Sequence, residues 1–409
     1  MKVYIGNSDI GSMISDFKIH FKSMGADTLT AVDGEQPKIV RAEVDYYFSL
    51  HKKKYFGGVR PRKFQKLLQE HYDIKNKVWR KAVRECDIFL FIWNSFKNDF
   101  SDYKKLKELG KKIIVCMVGD DVRWYHSAKQ EYLKYGMLPP NYESDYDFGN
   151  SGLNERLTRI RMAEKYADFI FSRFDQAQLQ LRPYYRWNMM VMPDSIIHNP
   201  HQRKNKPKII HAPSNRTAKG TGYILDAFET LRKENIEFET TLLENIPNEE
   251  AVKMYADADI VIDQLIFPGT GKFSTEALAA GKVVMSHMAY DCYPQKNPSD
   301  CPIIDVNPKT IYRELKNIIL DYPRRVKLAG EAKSYVTKHL DLSIFCEKVM
   351  NLCRGKEYEY DYTPSFFRNE FIPESEISVP LYNQWTNSVK DCSWYKQNIK
   401  PGERGKLIF

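Results

Sequence analysis

Asp263-Gln-Leu-Ile-Phe-Pro-Gly-Thr-Gly-Lys-Phe-Ser-Thr-Glu-Ala-Leu-Ala-Ala-Gly-Lys-Val-Val-Met285 is the stretch around which the rest of the chain can be ordered. The apolar, β-branched run Ile260-Val-Ile262 just before it reads as a buried strand. Residues 275–280 have helix-forming composition closed by Gly281. The loop 268–272 therefore falls at the carboxyl end of a strand, where open α/β sheets take their ligands. Gly269 and Gly271 let backbone approach a guest closely, and the helix that follows offers unpaired N–H groups and the positive end of its dipole. The expected guest is a phosphate or pyrophosphate. Glu276, in the first turns of that helix, either accepts hydrogen bonds from sugar or ribose hydroxyls or complements the helix dipole.

One strand upstream the sequence supplies cations. Lys208-Ile-Ile-His-Ala212 runs into Pro213-Ser-Asn-Arg-Thr-Ala-Lys-Gly220 and a helix over residues 223–234. Arg216 and Lys219, beside Gly220, would neutralise a diphosphate, the guanidinium as a fork of donors and the ammonium as a point charge. Solvated turn residues would look the same in isolation. His211, inside an apolar strand, reads as a packed core histidine rather than a base. The next strand, residues 239–243, ends at Glu244, a further candidate at the same strand ends. Lys272 and Phe273 complete the predicted donor contacts through the amides around Gly271.

The first half repeats the α/β alternation. A strand at residues 2–5, the loop Gly6-Asn-Ser-Asp-Ile-Gly11 and a helix over 13–24 make a Rossmann-like start. Gly6 and Gly11 do not fit Gly-x-Gly-x-x-Gly, so no dinucleotide fingerprint is present; Gly11 is kept as an acceptor-side candidate lining a cleft. A strand at 26–32, helices around 62–72 and 77–85, a strand at 87–93, a helix at 103–109 and a strand at 112–118 follow. The last strand ends in Gly119-Asp-Asp-Val-Arg-Trp124. Asp120, Asp121 and Arg123 are placed there for proton transfer or acceptor recognition, or else an Asp caps a following helix and pairs with Arg123. After an irregular excursion over 125–154, a helix (155–166) and strands at 168–172 and 189–192 complete a first domain over residues 1–195. Polar, basic, proline-bounded residues 196–207 read as a linker, 208–355 as the second domain, and 356–409 as an aromatic extension. Tyr358, Tyr360, Tyr362, Phe366, Phe367, Trp385, Trp394 and Tyr395 in that extension predict packing on the body, back across the first domain.

Composition narrows the class. A chain of 409 residues with 43% hydrophobic and 28% charged residues fits two soluble domains. No apolar run approaches the roughly 18 residues needed to cross a bilayer. Seven scattered cysteines without a Cys-x-x-Cys pair predict reduced, packing thiols, and the absence of a basic leader with a long apolar core predicts a cytoplasmic location. Most of the +9 net charge sits in residues 1–200, which carry 33 Lys and Arg against 25 Asp and Glu. The basic stretch with Lys52, Lys53, Lys54, Arg60 and Arg62, interleaved with Tyr55, Phe56 and Phe64, is either a solvated loop or a contact for anionic headgroups or a lipid-linked pyrophosphate. Nucleic acid is the less favoured partner.

Three motifs together resemble the donor domain of GT-B glycosyltransferases of the group 1, family 4-like kind: His-Ala-Pro-Ser-Asn-Arg-x-x-Lys-Gly-Thr at 211–221, Ala-Asp-Ile-Val-Ile-Asp-Gln at 258–264 and Phe-x-x-Glu-Ala-x-Ala-x-Gly-Lys at 273–282. Residues 110–123 are similar to the strand and Gly-Ser-Asp-Val-Arg turn of the first domain. The resemblance implies two Rossmann-like domains facing a cleft, an α/β fold, with Arg216 and Lys219 on the nucleotide diphosphate and Glu276 on the ribose. Pro268 stands where the family's Glu-x7-Glu motif has its first glutamate, and Val118 where a histidine often precedes the turn. What is implied is a metal-independent, cofactor-free glycosyltransferase moving a sugar from a nucleotide-sugar donor to a glycan, lipid-linked or other hydroxyl acceptor. A nucleotide-sugar epimerase or hydrolase, or a non-catalytic carbohydrate- or nucleic-acid-binding protein, is the alternative on the same architecture.

Overall fold

A computed structural model describes residues 1–34, 44–48, 61–123, 133, 150–173, 176, 179–244, 253–289 and 298–361. The basic residues Lys52, Lys53, Lys54 and Arg60, and most of the aromatic extension, lie outside them, as does the side chain of Arg62. The chain forms two compact units: Asn188–Phe345 makes up one over its described residues, and the described parts of Met1–Ser127, Asp147–Trp187 and Cys346–Phe409 the other.

In the first unit, β1 (Lys2–Asn7), β2 (Asp27–Val32), β3 (Tyr46–Tyr47), β4 (Ile88–Ile92), β5 (Lys112–Cys116), β6 (Phe169–Ser172) and β7 (Tyr185–Arg186) form one parallel sheet ordered β3-β2-β1-β4-β5-β6-β7. The strands are apolar almost throughout, as Ile88-Phe-Leu-Phe-Ile92 shows, because parallel sheets are covered on both faces. The helices α1 (Met13–Ser23), α2 (Pro61–Glu85), α3 (Ser101–Glu108) and α4 (Asn150–Tyr166) provide that cover. Where the sequence predicts two helices over 62–85, α2 is one helix of 25 residues. The polar stretch Asp73-Ile-Lys-Asn-Lys77 interrupts the apolar period without containing a glycine or proline, so nothing stops the helix there. Of the extension, residues 356–361 pack as expected on this unit. Tyr360 stacks on Tyr185 of the edge strand at 4.9 Å, Lys348 sits 4.3 Å over the Tyr185 ring, and Asp361 accepts from the Arg186 amide at 2.8 Å.

The second unit is a five-stranded parallel sheet ordered β12-β11-β10-β8-β9, from β8 (Lys208–His211), β9 (Glu239–Leu242), β10 (Ile260–Ile262), β11 (Val283–Ser286) and β12 (Ile304–Asp305). Its helices are α5 (Arg216–Lys219), α6 (Thr221–Lys233), α7 (Lys272–Ala279), α8 (Ile311–Leu320) and α9 (Tyr322–His339); α10 (Leu342–Cys353) then takes the chain back to the first unit. Alternate residues of each strand go to opposite faces. Ile210, Val261 and Val284 join Ala277, Leu278, Tyr335 and Val336 from α7 and α9. Ile209, Ile260, Ile262 and Val283 join Ile224, Phe228 and Leu315 from α6 and α8.

The division falls between Trp187 and Asn188, ahead of the predicted residue 195, and residues 196–207 are part of the second unit. They run along the amino-terminal edge of its sheet as a strap. Asp259, fully buried, accepts from the Arg203 guanidinium and the Arg203 and Lys208 amides, while Arg325 donates to the Arg203 and Lys204 carbonyls. The polar, basic composition that suggests a solvated linker here supplies partners for buried groups instead. Residues 189–192, predicted as a strand, make only a bridge from Val191 to Asp341. No helix among the described residues is long and apolar enough to cross a membrane.

Candidate functional site

In the second sheet β9 lies on one side of β8 and β10 on the other, so the chain changes direction between β8 and β10. Ligands of open α/β sheets bind outside the carboxyl ends of strands at such a reversal. The two sequence stretches singled out above, 213–220 and 263–272, leave those two strands. Asn215 caps α5, accepting from the Ala218 amide at 2.9 Å, and Gly220 ends it in the left-handed region at φ 72°. A Cβ at Gly220 would lie 3.0 Å from Leu265 Cβ, which is how the two loops come together.

At the centre is a carboxylate that the sequence reading left without a role. Asp263, the first residue after β10, is fully buried. Its Oδ1 accepts from Lys219 Nζ at 2.5 Å; its Oδ2 accepts from Ser274 Oγ at 2.6 Å and from the Gly271 amide at 3.1 Å. Burial alone would raise its pKa, but Lys219, Ser274 and the Gly271 N–H outweigh burial and hold it below the ordinary carboxylate value. Lys219 also donates to Gln264 Oε1 at 2.8 Å. A Cβ on residue 271 would meet Asp263 Oδ2 at 2.8 Å, so any larger residue would push the carboxylate off its partners. The ammonium and the amide at the head of α7 that the sequence offers to an external anion thus already hold one from the chain itself.

The other predicted donor residues divide by what their side chains touch. Arg216 forms a two-pronged pair with Glu244, Nε and Nη2 donating at 2.8 and 2.6 Å, and remains half-exposed. Gly269, at φ 93°, donates to the His287 carbonyl at 2.7 Å and accepts from Gln264 Nε2 at 3.0 Å, which pins the loop to the exit of β11. The Lys272 and Phe273 side chains are engaged within the chain. Lys272 donates to the Met190 carbonyl at 3.0 Å, and Phe273 packs edge-on to Tyr255 at 5.2 Å, while their backbone amides lie in the first turn of α7. Glu276 is buried and accepts the Tyr255 hydroxyl through Oε2. His211 is a core histidine: Nδ1 faces the Ile262 carbonyl at 2.8 Å and so carries the proton, leaving Nε2 to accept from Thr221. Burial lowers its pKa.

In the first unit the turn after β5 gathers the acceptor-side residues. Asp121 is fully buried and folds back on its own turn, accepting from the Gly119 amide at 2.7 Å and the Val118 amide at 3.2 Å; burial pushes its carboxyl up to about 7. Its carboxylate turns back onto amides that precede it in the chain. Asp120 is exposed and pairs with Arg123 at 3.0 Å. Gly11, at φ 60°, lies in the turn entering α1, away from this cluster in the fold's order of strands. Arg159, which the sequence reading passed over, donates to the Asp121 carbonyl at 2.7 Å and to Asn94 Oδ1 at 3.3 Å, bracing the exits of β4 and β5. An arginine in the middle of a strong helix carries no sequence signal for that task.

Neither a protein-family model nor a curated protein sequence matches the chain. Solved structures do match. Sucrose-phosphate synthase from Thermosynechococcus elongatus is 10% identical, with a TM-score of 0.57 over 86% of this chain and 98% of that one. HepE from Anabaena, in complex with UDP and glucose, is 11% identical, with a TM-score of 0.51 over 87% and 99%. A UDP-N-acetylglucosamine 2-epimerase assignment from Listeria monocytogenes is 11% identical, at 0.51 over 88% and 98%. At such identity the likeness is one of fold. The chain has the GT-B fold.

Proposed function

We propose that this GT-B chain is a glycosyltransferase that binds a nucleotide-sugar donor at the β8–β10 switch of its second unit and passes the sugar to a hydroxyl of a glycan or lipid-linked acceptor in glycoconjugate or polysaccharide synthesis. The observation that carries the reading is the meeting of Arg216, Lys219 and the start of α7 at the carboxyl ends of adjoining strands. Two cations beside a helix start suit a diphosphate, and their charge would stabilise the negative charge that develops on the departing nucleoside diphosphate. In this reading the chain's own cations do the work a metal does elsewhere. Glu244 holds the Arg216 fork on one side and leaves it turned to solvent on the other. Asp263 and Gln264 fix the Lys219 ammonium. Tyr255 orients Glu276, the residue this reading assigns to the ribose hydroxyls. On the acceptor side the exposed Asp120 carboxylate is the group assigned to the incoming hydroxyl, with Asp121 keeping its turn in shape. HepE, of the same fold, was solved with UDP-glucose, which makes a uridine diphosphate sugar the first donor to try.

Thermal unfolding with UDP-, GDP-, ADP- and CMP-sugars tests this directly, because a bound donor raises the midpoint with the logarithm of its concentration over Kd. One donor class should stabilise the chain, and Arg216→Ala with Lys219→Ala should abolish that stabilisation. Donor affinity unchanged in the double variant would sink the site. Conversion of the donor sugar to its epimer without any acceptor would replace transfer by epimerisation.

A further inference from the structure

The first unit contains a cavity of about 750 Å³ that takes no part in the donor site. One wall is a face of α2, with Tyr72, Lys75, Asn76 and Trp79 at helical spacing; the opposite wall is the loop leaving β4, with Asn94, Phe96 and Asn98. Asp33, directly after β2, closes one end. The cavity thus lies at the carboxyl ends of β2 and β4, which flank β1, the strand at which this sheet reverses its order.

Its furnishing is specific. Phe96, 6% exposed, packs edge-on to Trp79 at 5.1 Å and fixes the indole against the core. The loop is held from below by buried Asp102, which accepts from Ser95 Oγ and the Phe96 amide, both at 2.9 Å. Lys75 and Asp33 pair at 3.0 Å, so their charges cancel within the wall. The Trp79 indole N–H and the carboxamides of Asn76 and Asn98 make no hydrogen bond among the described residues. A rigid ring beside side-chain amides, in walls where Asp33, Asp99 and Asp102 outnumber Lys75 and Lys97, favours a guest with apolar C–H faces and many hydroxyls over a lipid chain or a strongly charged anion.

We propose that this cavity binds a saccharide, stacked on Trp79 and hydrogen-bonded by Asn76 and Asn98. Its identification as the acceptor rests on the transferase reading; the binding itself does not. The volume lies within the ~300–1,000 Å³ of ordinary ligand pockets, enough for more than the single ring being transferred.

The full chain is titrated, without nucleotide, with the methyl glycosides of glucose, galactose, N-acetylglucosamine and glucuronic acid and with maltose, reading saturation-transfer NMR. At least one should bind. Trp79→Ala should weaken it tenfold or more and Trp79→Phe by less, with the thermal shift from a nucleotide sugar unchanged in both. Should Trp79→Ala not fold, Asn76→Leu and Asn98→Leu on exposed positions carry the same expectation. No glycoside binding while a nucleotide sugar still stabilises the chain overturns the saccharide assignment and leaves the donor site standing. Binding that survives Trp79→Ala and both Asn variants overturns it too. Glycoside binding lost with Trp79, in a chain that no nucleotide sugar stabilises, keeps the cavity and removes the transferase reading.

Discussion

The carboxyl edge of the second sheet and that of the first both open where strand order reverses, and they dispose of their polar groups in opposite ways. At β8 and β10 the charges are tied to one another: Lys219 to Asp263, Arg216 to Glu244, the head of α7 to Asp263. At β2 and β4 only Lys75 and Asp33 are tied to each other, Lys97 and Asp99 stand exposed, and Trp79, Asn76 and Asn98 keep hydrogen-bonding capacity in hand. A site for a highly charged ligand must keep its charges from unfolding the empty protein, so they are paired in advance. A site for a neutral ligand has no such need, because exposed amides are satisfied by water.

The largest effect should come from breaking the paired edge. Asp263→Ala leaves the Lys219 ammonium, only 16% exposed, without its carboxylate, and should cost about 3–5 kcal/mol in urea unfolding of the second unit. A loss under about 1 kcal/mol would show that the pairing is not what holds this edge. The first unit offers a contrast in the form of a buried carboxyl without a cation on its oxygens. With Asp121 raised to about 7 when folded and near 3.8 when unfolded, the folded state holds the extra proton in between. Its contribution is therefore fully present below about pH 4 and lost as pH rises towards 7. Wild type should lose stability relative to Asp121→Asn over that window, by on the order of a few kcal/mol, and parallel curves would refute the buried acid. Gly271→Ala changes no charge but drives a Cβ into Asp263 Oδ2; about 1–3 kcal/mol of destabilisation and a smaller nucleotide-sugar thermal shift are expected. The smallest effect on folding belongs to Arg216→Ala. Its pair with Glu244 is solvent-exposed, so the melting midpoint should stay put while donor affinity drops, and a reversed pattern would make Arg216 structural.

How much of this could be read beforehand depends on how the information is written along the chain. The carboxyl edge of the second sheet is legible because its parts are local: a β-branched run, a glycine-bracketed loop, then helix formers, with Arg216 and Lys219 in one turn. What escaped was pairing between loops. Asp263 stands within the stretch that organises the fold, yet its bond to Lys219 spans 44 positions. The same distance in sequence hides the cavity, whose walls come from residue 33, from α2 and from the loop after β4. Residues 196–207 mislead for another reason. Composition records that the segment is polar and basic but not that Asp259 and the carbonyls of its own backbone need those groups.

The closed circuit of Lys219, Asp263, Ser274 and Gly271 also has a bearing on what the empty protein ignores. Inorganic phosphate and other small anions find the lysine and the first helix amide already satisfied by a carboxylate that cannot diffuse away. Such a solute brings too few contacts of its own to compete. On the proposed reading a nucleotide sugar, held through its base, ribose and sugar as well, would gain enough elsewhere to share the lysine, and selectivity by size would follow from a seat that is never vacant.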